Sequence, residues 1–187
     1  MRRRPLLIST AMALSAPAWA NSPQADSPLG SALQGLRPMG QTRLRVWGFE
    51  VYDATLFAGP GFDPERYDDQ RFALELAYLR SFDGPDIAQR SIDEMREQAA
   101  LDDTLAQQWL AAMARLFPNV RRGDRITGLH QPGVGARFYL NGQWLGELAD
   151  DAFSRRFFGI WLSPKTSQPR MRASLLQSVA SAAPRTP

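Results

Sequence analysis

Hydrophobic and polar positions alternate most regularly between residues 72 and 80. There Phe72, Leu74, Leu76, Tyr78 and Arg80 interleave with Ala73, Glu75, Ala77 and Leu79, and a period of two is the signature of a strand. Two earlier runs read the same way. From Thr42, Leu44 and Val46 face one side while Arg43, Arg45 and Trp47 face the other. Gly48 permits a bend, and "FEVYDATLF" gives a second strand closed by "AGPGFDPE". After Gly84-Pro85 the period changes. Ala88, Ile92, Met95 and Ala99, then Leu105, Trp109, Ala112, Met113 and Leu116, recur at helical spacing up to Pro118. Strand patterns return in "DRITGLH", "ARFYL" and "QWLGEL". Asn141-Gly142 joins the last two, as expected for a hairpin whose two turn residues must accept positive φ. Asp150 or Asp151 is placed to cap a helix carrying Phe153, Phe157, Ile160 and Trp161. Ser167 and Pro169 open a last one bearing Met171, Leu175 and Val179. Strands, two helices, strands and helices with short links predict an α+β domain, an antiparallel sheet with helices on one face.

The ends read differently. Residues 1–20 run from the basic start Arg2-Arg3-Arg4 through "PLLISTAMALSAPAWA" to Ala18-Trp19-Ala20, a small-x-small cleavage pattern, and are expected to form a signal peptide. Ser9, Thr10, Ser15 and Pro17 interrupt that stretch, which argues against a membrane anchor. The expectation is export to a bacterial periplasm, with no integral membrane segment in the mature chain. Residues 21–35, rich in Ser, Pro, Gly and Gln, read as a flexible linker or loosely docked arm. Residues 36–180 read as one domain without internal repeats, and 181–187 as a disordered tail.

Charge and composition narrow the chemistry. Of the 187 residues, 22 are basic and 19 acidic, but three of the arginines lie in the leader, so the remainder is balanced. A neutral chain offers no broad field for nucleic acid. With no cysteine and a single histidine, His130, thiolate chemistry, histidine-rich metal sites and two-histidine relays are excluded. No metal or other cofactor is expected. His130, at a strand end beside a turn, reads as a solvated side chain. The pairs Asp68-Asp69, Asp102-Asp103 and Asp150-Asp151 sit at turns or helix starts, where capping explains them. No serine lies in a nucleophile elbow, and "GVGARF" lacks the third glycine of a dinucleotide loop and leads into a strand.

The informative feature is arginine and tyrosine on otherwise apolar strand faces. An arginine there needs an internal acid, a route to solvent or an anionic ligand. Arg43, Arg45, Tyr78 and Arg80 are therefore candidates for a clamp on a carboxylate above an apolar slot. Pairing with Glu50, Glu75 or Asp83, or snorkelling to water, is the competing explanation. Phe153, Phe157, Phe158 and Trp161 could line such a slot, though helical spacing equally describes an ordinary core.

The segments "GQTRLRVWGFEVYDATLF", "FALELAYLRSFDG", "FPNVRRGDRI" and "NGQWLGELADDAFSRRFFGIWLSPKTSQPRMRASLL" together resemble the bacterial chalcone isomerase-like family, from about Leu36 to Leu176. The resemblance implies an open-faced sandwich, a large antiparallel sheet carrying a helical layer. It also implies two kinds of activity, because this fold hosts plant enzymes that cyclise chalcones and relatives that only bind fatty acids. In the enzymes an arginine near the first strand stabilises a phenolate. Arg43 matches it, with Arg45 as the alternative register. The enzymes' tyrosine and asparagine fall on Ile87 and Glu94, neither of which can play their part. In the fatty-acid binders an arginine and a tyrosine hold the ligand carboxylate, and Arg43 with Tyr52 is the nearest equivalent. The expectation is an exported, non-catalytic protein binding a small amphipathic acid through Arg43, Arg45, Tyr52, Tyr78 and Arg80. The alternatives are a chalcone isomerase-type lyase and a structural or partner-binding envelope protein of unspecified partner.

Overall fold

The strand read at Phe72–Tyr78 becomes the third of six in one antiparallel sheet. A computed structural model describes residues 27–177; the expected signal peptide, the tail 181–187 and the ends of the linker and domain segments lie outside the described residues. The strands are β1 (Arg37–Val46), β2 (Phe49–Ala58), β3 (Phe72–Tyr78), β4 (Arg125–Gln131), β5 (Gly135–Leu140) and β6 (Gln143–Leu148), and their order in the sheet is their order in the chain. Between β3 and β4 the chain forms two helices, Gly84–Gln98 and Asp103–Leu116, and after β6 two more, Asp151–Leu162 and Pro169–Leu175. A short helix at Pro28–Ala32 precedes β1, so we number the helices α1 to α5 in chain order.

Local sequence explains most boundaries. The oxygen of Asp102 accepts from Leu105 N–H and that of Asp150 from Phe153 N–H, each supplying an N-terminal cap. Asn141 and Gly142 take φ of 50° and 84°, the geometry a two-residue hairpin demands. Trp47 and Gly48 take nearly the same pair, 50° and 83°, so β1 and β2 form a hairpin of the same kind. β1 starts at Arg37, earlier than Thr42, because pairing of Arg37 with Ala58 extends the ladder through a bulge near Met39 that breaks the alternation.

The sheet's apolar face packs under α2 to α5. Phe72, Leu74, Leu56 and Phe138 meet Ile92, Met95, Met113, Phe153, Phe158 and Leu162. Two glycines set how closely the layers approach. A Cβ on Gly40 would lie 2.1 Å from the carbonyl oxygen of Leu175, so β1 and α5 touch backbone to backbone. One on Gly128 would lie 3.0 Å from the Phe158 ring.

Three local expectations are corrected. The segment read as a flexible linker or loosely docked arm contains α1 and is firmly docked, because Leu29 and Leu33 bury themselves on the sheet's other face against Ala73, Leu129 and Tyr139. Arg71 holds that arm, donating to the carbonyls of Gln34, at 3.0 Å, and of Ala32. His130 is not solvated. It is fully buried against Phe72 and Phe158, with Nδ1 2.7 Å from Ser154 Oγ and Nε2 2.9 Å from the Asp68 carbonyl oxygen. A carbonyl only accepts, so Nε2 carries the hydrogen and the neutral ring accepts from Ser154 at Nδ1. Strand β3 ends at Tyr78, before Arg80, because Tyr78 N–H and C=O bond to Asp124 and Gly123 in the turn before β4.

Candidate functional site

Cross-strand register builds one wall of a cavity. Leu44 lies opposite Tyr52, and Tyr52 opposite Tyr78, so these side chains share the helix-facing surface at the end of the sheet nearest the β1–β2 turn. A bulge between Leu44 and Arg45 then turns both Val51 and Tyr52 inward. Ile87, Ser91 and Glu94 of α2, Phe157, Ile160 and Trp161 of α4, and Met171 of α5 form the opposite wall. The space between the walls, open at one end, is about 540 Å³ and mainly apolar, within the range that holds small organic ligands.

Its polar groups are few and specific. Trp161 Nε1–H donates to the Tyr52 hydroxyl at 3.0 Å. The Tyr52 and Tyr78 rings meet edge to face at 6.2 Å. Burial holds both phenols in the neutral, donating form. It pushes Tyr52 up to about 12 and Tyr78 higher still. Tyr78 is 4% exposed, and among the described residues its hydroxyl has no hydrogen-bond partner. Glu94 is also buried. Its carboxylate accepts from Arg90 and from the Ser167 hydroxyl, so its charge is compensated inside the wall. Arg80 and Arg90 line the cavity while remaining exposed, which places them at its mouth. Arg80 stacks 5.2 Å from the Phe49 ring centroid and has no carboxylate partner among the described residues.

Of the five candidates, the structure brings Tyr52, Tyr78 and Arg80 together around this space and leaves Arg43 and Arg45 outside it. Arg43 pairs across the ladder with Asp53 and grips its carboxylate at 2.6 and 2.8 Å, with a third bond of 2.8 Å to Glu50. Arg45 reaches Glu50 at 2.9 Å. These two arginines occupy the sheet's outer, solvated surface, as the parity of the strand requires once Leu44 points inward. For them the competing explanation holds, pairing with acids at the surface. The hydrogen bonds from Arg43 and Arg45 hold the Glu50 carboxyl below the usual range.

The residues missed are Arg90 and Ser91. Ile87, Ser91 and Glu94 form a second stripe on α2 beside the apolar one at Ala88, Ile92 and Met95. A mixed stripe at that spacing was a readable sign of a helix facing a cavity rather than a closed core. The aromatic helix α4 does both jobs, with Phe157 and Trp161 on the cavity and Phe153 and Phe158 in the core. Among the described residues no group of His, Asp and Glu is placed to hold a metal ion. Asp68, Asp69 and Asp151 instead surround Arg155.

The sheet and its helical layer match known proteins. Residues 32–177 match the chalcone isomerase-like family, and the chain belongs to it. An uncharacterised protein of Haemophilus influenzae is 30% identical over 141 residues, covering 75% of this chain and 67% of that one. The crystal structure of the Arabidopsis thaliana fatty-acid binding protein AtFAP1 superposes with a TM-score of 0.60 at 12% identity, over 79% of this chain and 89% of that one. The open-faced α+β architecture is thus that of the family.

Proposed function

We propose that this protein is an exported, non-catalytic binder of a small amphipathic carboxylic acid such as a fatty acid. The observation that carries the reading is the apolar cavity of about 540 Å³ lined by the hydroxyl-bearing Tyr78, which has no hydrogen-bond partner for that hydroxyl among the described residues, and by Arg80, which has no carboxylate partner among them. Alkyl or aryl surface packs on Leu76, Ile126, Phe157 and Ile160. The acid group meets donors, the Tyr52 and Tyr78 hydroxyls and the guanidinium groups of Arg80 and Arg90. The similarity of fold to a protein named for fatty-acid binding supports the same choice. So does the leader-like sequence of residues 1–20 for export.

Catalysis of the chalcone isomerase type is less well supported. It needs an arginine against the substrate phenolate, and Arg43 faces away from the cavity. Ile87 and Glu94, at the positions matched to the enzymes' tyrosine and asparagine, do line the cavity, offering an alkyl group and a carboxylate where a hydroxyl and an amide are required. A purely structural role leaves a cavity of this size without purpose.

Native mass spectrometry of the protein recovered from its producing cell, followed by organic extraction, tests the proposal together with calorimetric titration of decanoate. A co-purified acid, or decanoate binding that weakens in Tyr78→Phe and Arg80→Gln, is the expected result. An empty protein that ignores decanoate, or one that closes the ring of a hydroxychalcone, overturns it.

A further inference from the structure

The turn at the cavity mouth carries side chains that its folding does not call for. Val46, Trp47 and Phe49 are 44%, 95% and 63% exposed, and all three rim the cavity. Trp47 has φ of 50°, a conformation that asparagine or glycine adopts at lower cost. The equivalent turn between β5 and β6 places Asn141 at the same φ. A bulky indole is therefore held in water, on a strained backbone position, at the tip of a hairpin. Neither strand pairing nor core packing accounts for it.

The charges around the tip favour one kind of partner. Arg43 and Arg45 are neutralised by Asp53 and Glu50, whereas Arg80, on the face of Phe49, has no carboxylate partner among the described residues. Aromatic rings beside an unpaired guanidinium suit the headgroup region of a bilayer, where indole spans the polar and apolar layers and arginine meets lipid phosphate. A protein interface of ordinary size needs about 800 Å² from each partner, which a single turn does not offer. Among the described residues no helix is long and apolar enough to cross a membrane.

We infer that the Val46–Phe49 turn docks on a phospholipid surface and seats the cavity mouth against it. This rests on the acid-binding reading in one respect, since an amphipathic acid partitions into bilayers and a mouth facing lipid gives it a direct path to Tyr78.

Cosedimentation of the whole chain with phosphatidylcholine vesicles, with and without phosphatidylglycerol, tests the inference, wild type and variants carrying the same ends. Binding should fall about tenfold or more in Trp47→Ser/Phe49→Ser, whose exposed positions leave folding intact. Arg80→Gln should lose the preference for phosphatidylglycerol, and brominated lipid should quench fluorescence in wild type more than in Trp47→Phe. Equal pelleting of wild type and Trp47→Ser/Phe49→Ser, or no pelleting of wild type with either vesicle, overturns the docking. A self-associated wild type that becomes monomeric in Trp47→Ser/Phe49→Ser also overturns it, in favour of a second copy of the chain. Decanoate titration without vesicles separates the two proposals. Decanoate binding without vesicle binding ends only the docking, and the reverse ends only the cavity's reading as an acid site.

Discussion

Trp161 donates its indole hydrogen to the Tyr52 hydroxyl at 3.0 Å, tying the inner end of α4 to β2 across the cavity. The bond uses a lone pair of the phenol and leaves the Tyr52 hydrogen free to donate. One residue of the cavity wall thereby orients another.

Tyr52→Phe should therefore act twice. It removes the partner of a buried indole N–H, at a cost of about 1 kcal/mol in stability, and it removes a donor from the ligand. Tyr78→Phe should act once, because no partner within the protein is lost. Its urea midpoint should equal or exceed that of wild type, while decanoate binding weakens by about threefold to tenfold. Equal loss of stability in the two variants would contradict this division of roles.

The placement of the arginines gives a second contrast. Arg43→Gln should leave decanoate affinity unchanged, since its guanidinium is engaged by Asp53 and Glu50 on the outer surface. Arg80→Gln should weaken it several-fold, with the effect diminishing at high salt because the group is exposed. Calorimetry at two ionic strengths reads both.

Stability should fall on mild acidification through His130. Burial holds this imidazole below its ordinary range, so the unfolded chain binds a proton more readily than the folded one. Stability then rises with pH wherever that difference exists. It is fully present above the unfolded value of about 6.5 and lost as pH falls below it toward the folded value. Glu50, Asp124 and Asp151, held below the usual carboxylate range mainly by Arg43, Asn141 and Arg155 respectively, add their losses only at lower pH. Urea midpoints should drop between pH 7 and pH 5.5 in wild type, and the slope should flatten in His130→Gln.

Gly40→Ala should destabilise by on the order of 1–3 kcal/mol. The added methyl would meet the Leu175 carbonyl oxygen, a backbone atom that cannot rotate away. Separation of α5 from β1 would also move Met171, which lines the cavity, so decanoate affinity should fall with the denaturation midpoint.

The periodicities of β3, α2, α3 and α4, the Asn141-Gly142 turn and a cap at Asp150 or Asp151 were legible along the chain, because each depends on residues within a few positions of one another. The motifs of the family were legible for the same reason, and with them the open-faced α+β fold. Parity along a strand was legible too, but not which parity faces the helices. That choice follows from the ladder of β1 on β2 and the bulge after Leu44, which send Arg43 outward to Asp53 and bring Tyr52 beside Tyr78. Alternation along the chain named Arg80 as a candidate, but its position beyond the end of β3, stacked on Phe49, depends on the tertiary structure. His130 shows the same limit in the core. Its neighbours in sequence suggested a solvated strand end, while its partners Asp68 and Ser154 come from distant elements. Local preference selects helices, strands and turns, since their hydrogen bonds and side-chain spacing are short-range. The cavity and its polar groups arise where separate elements meet, and their geometry is set by packing between residues far apart in the chain.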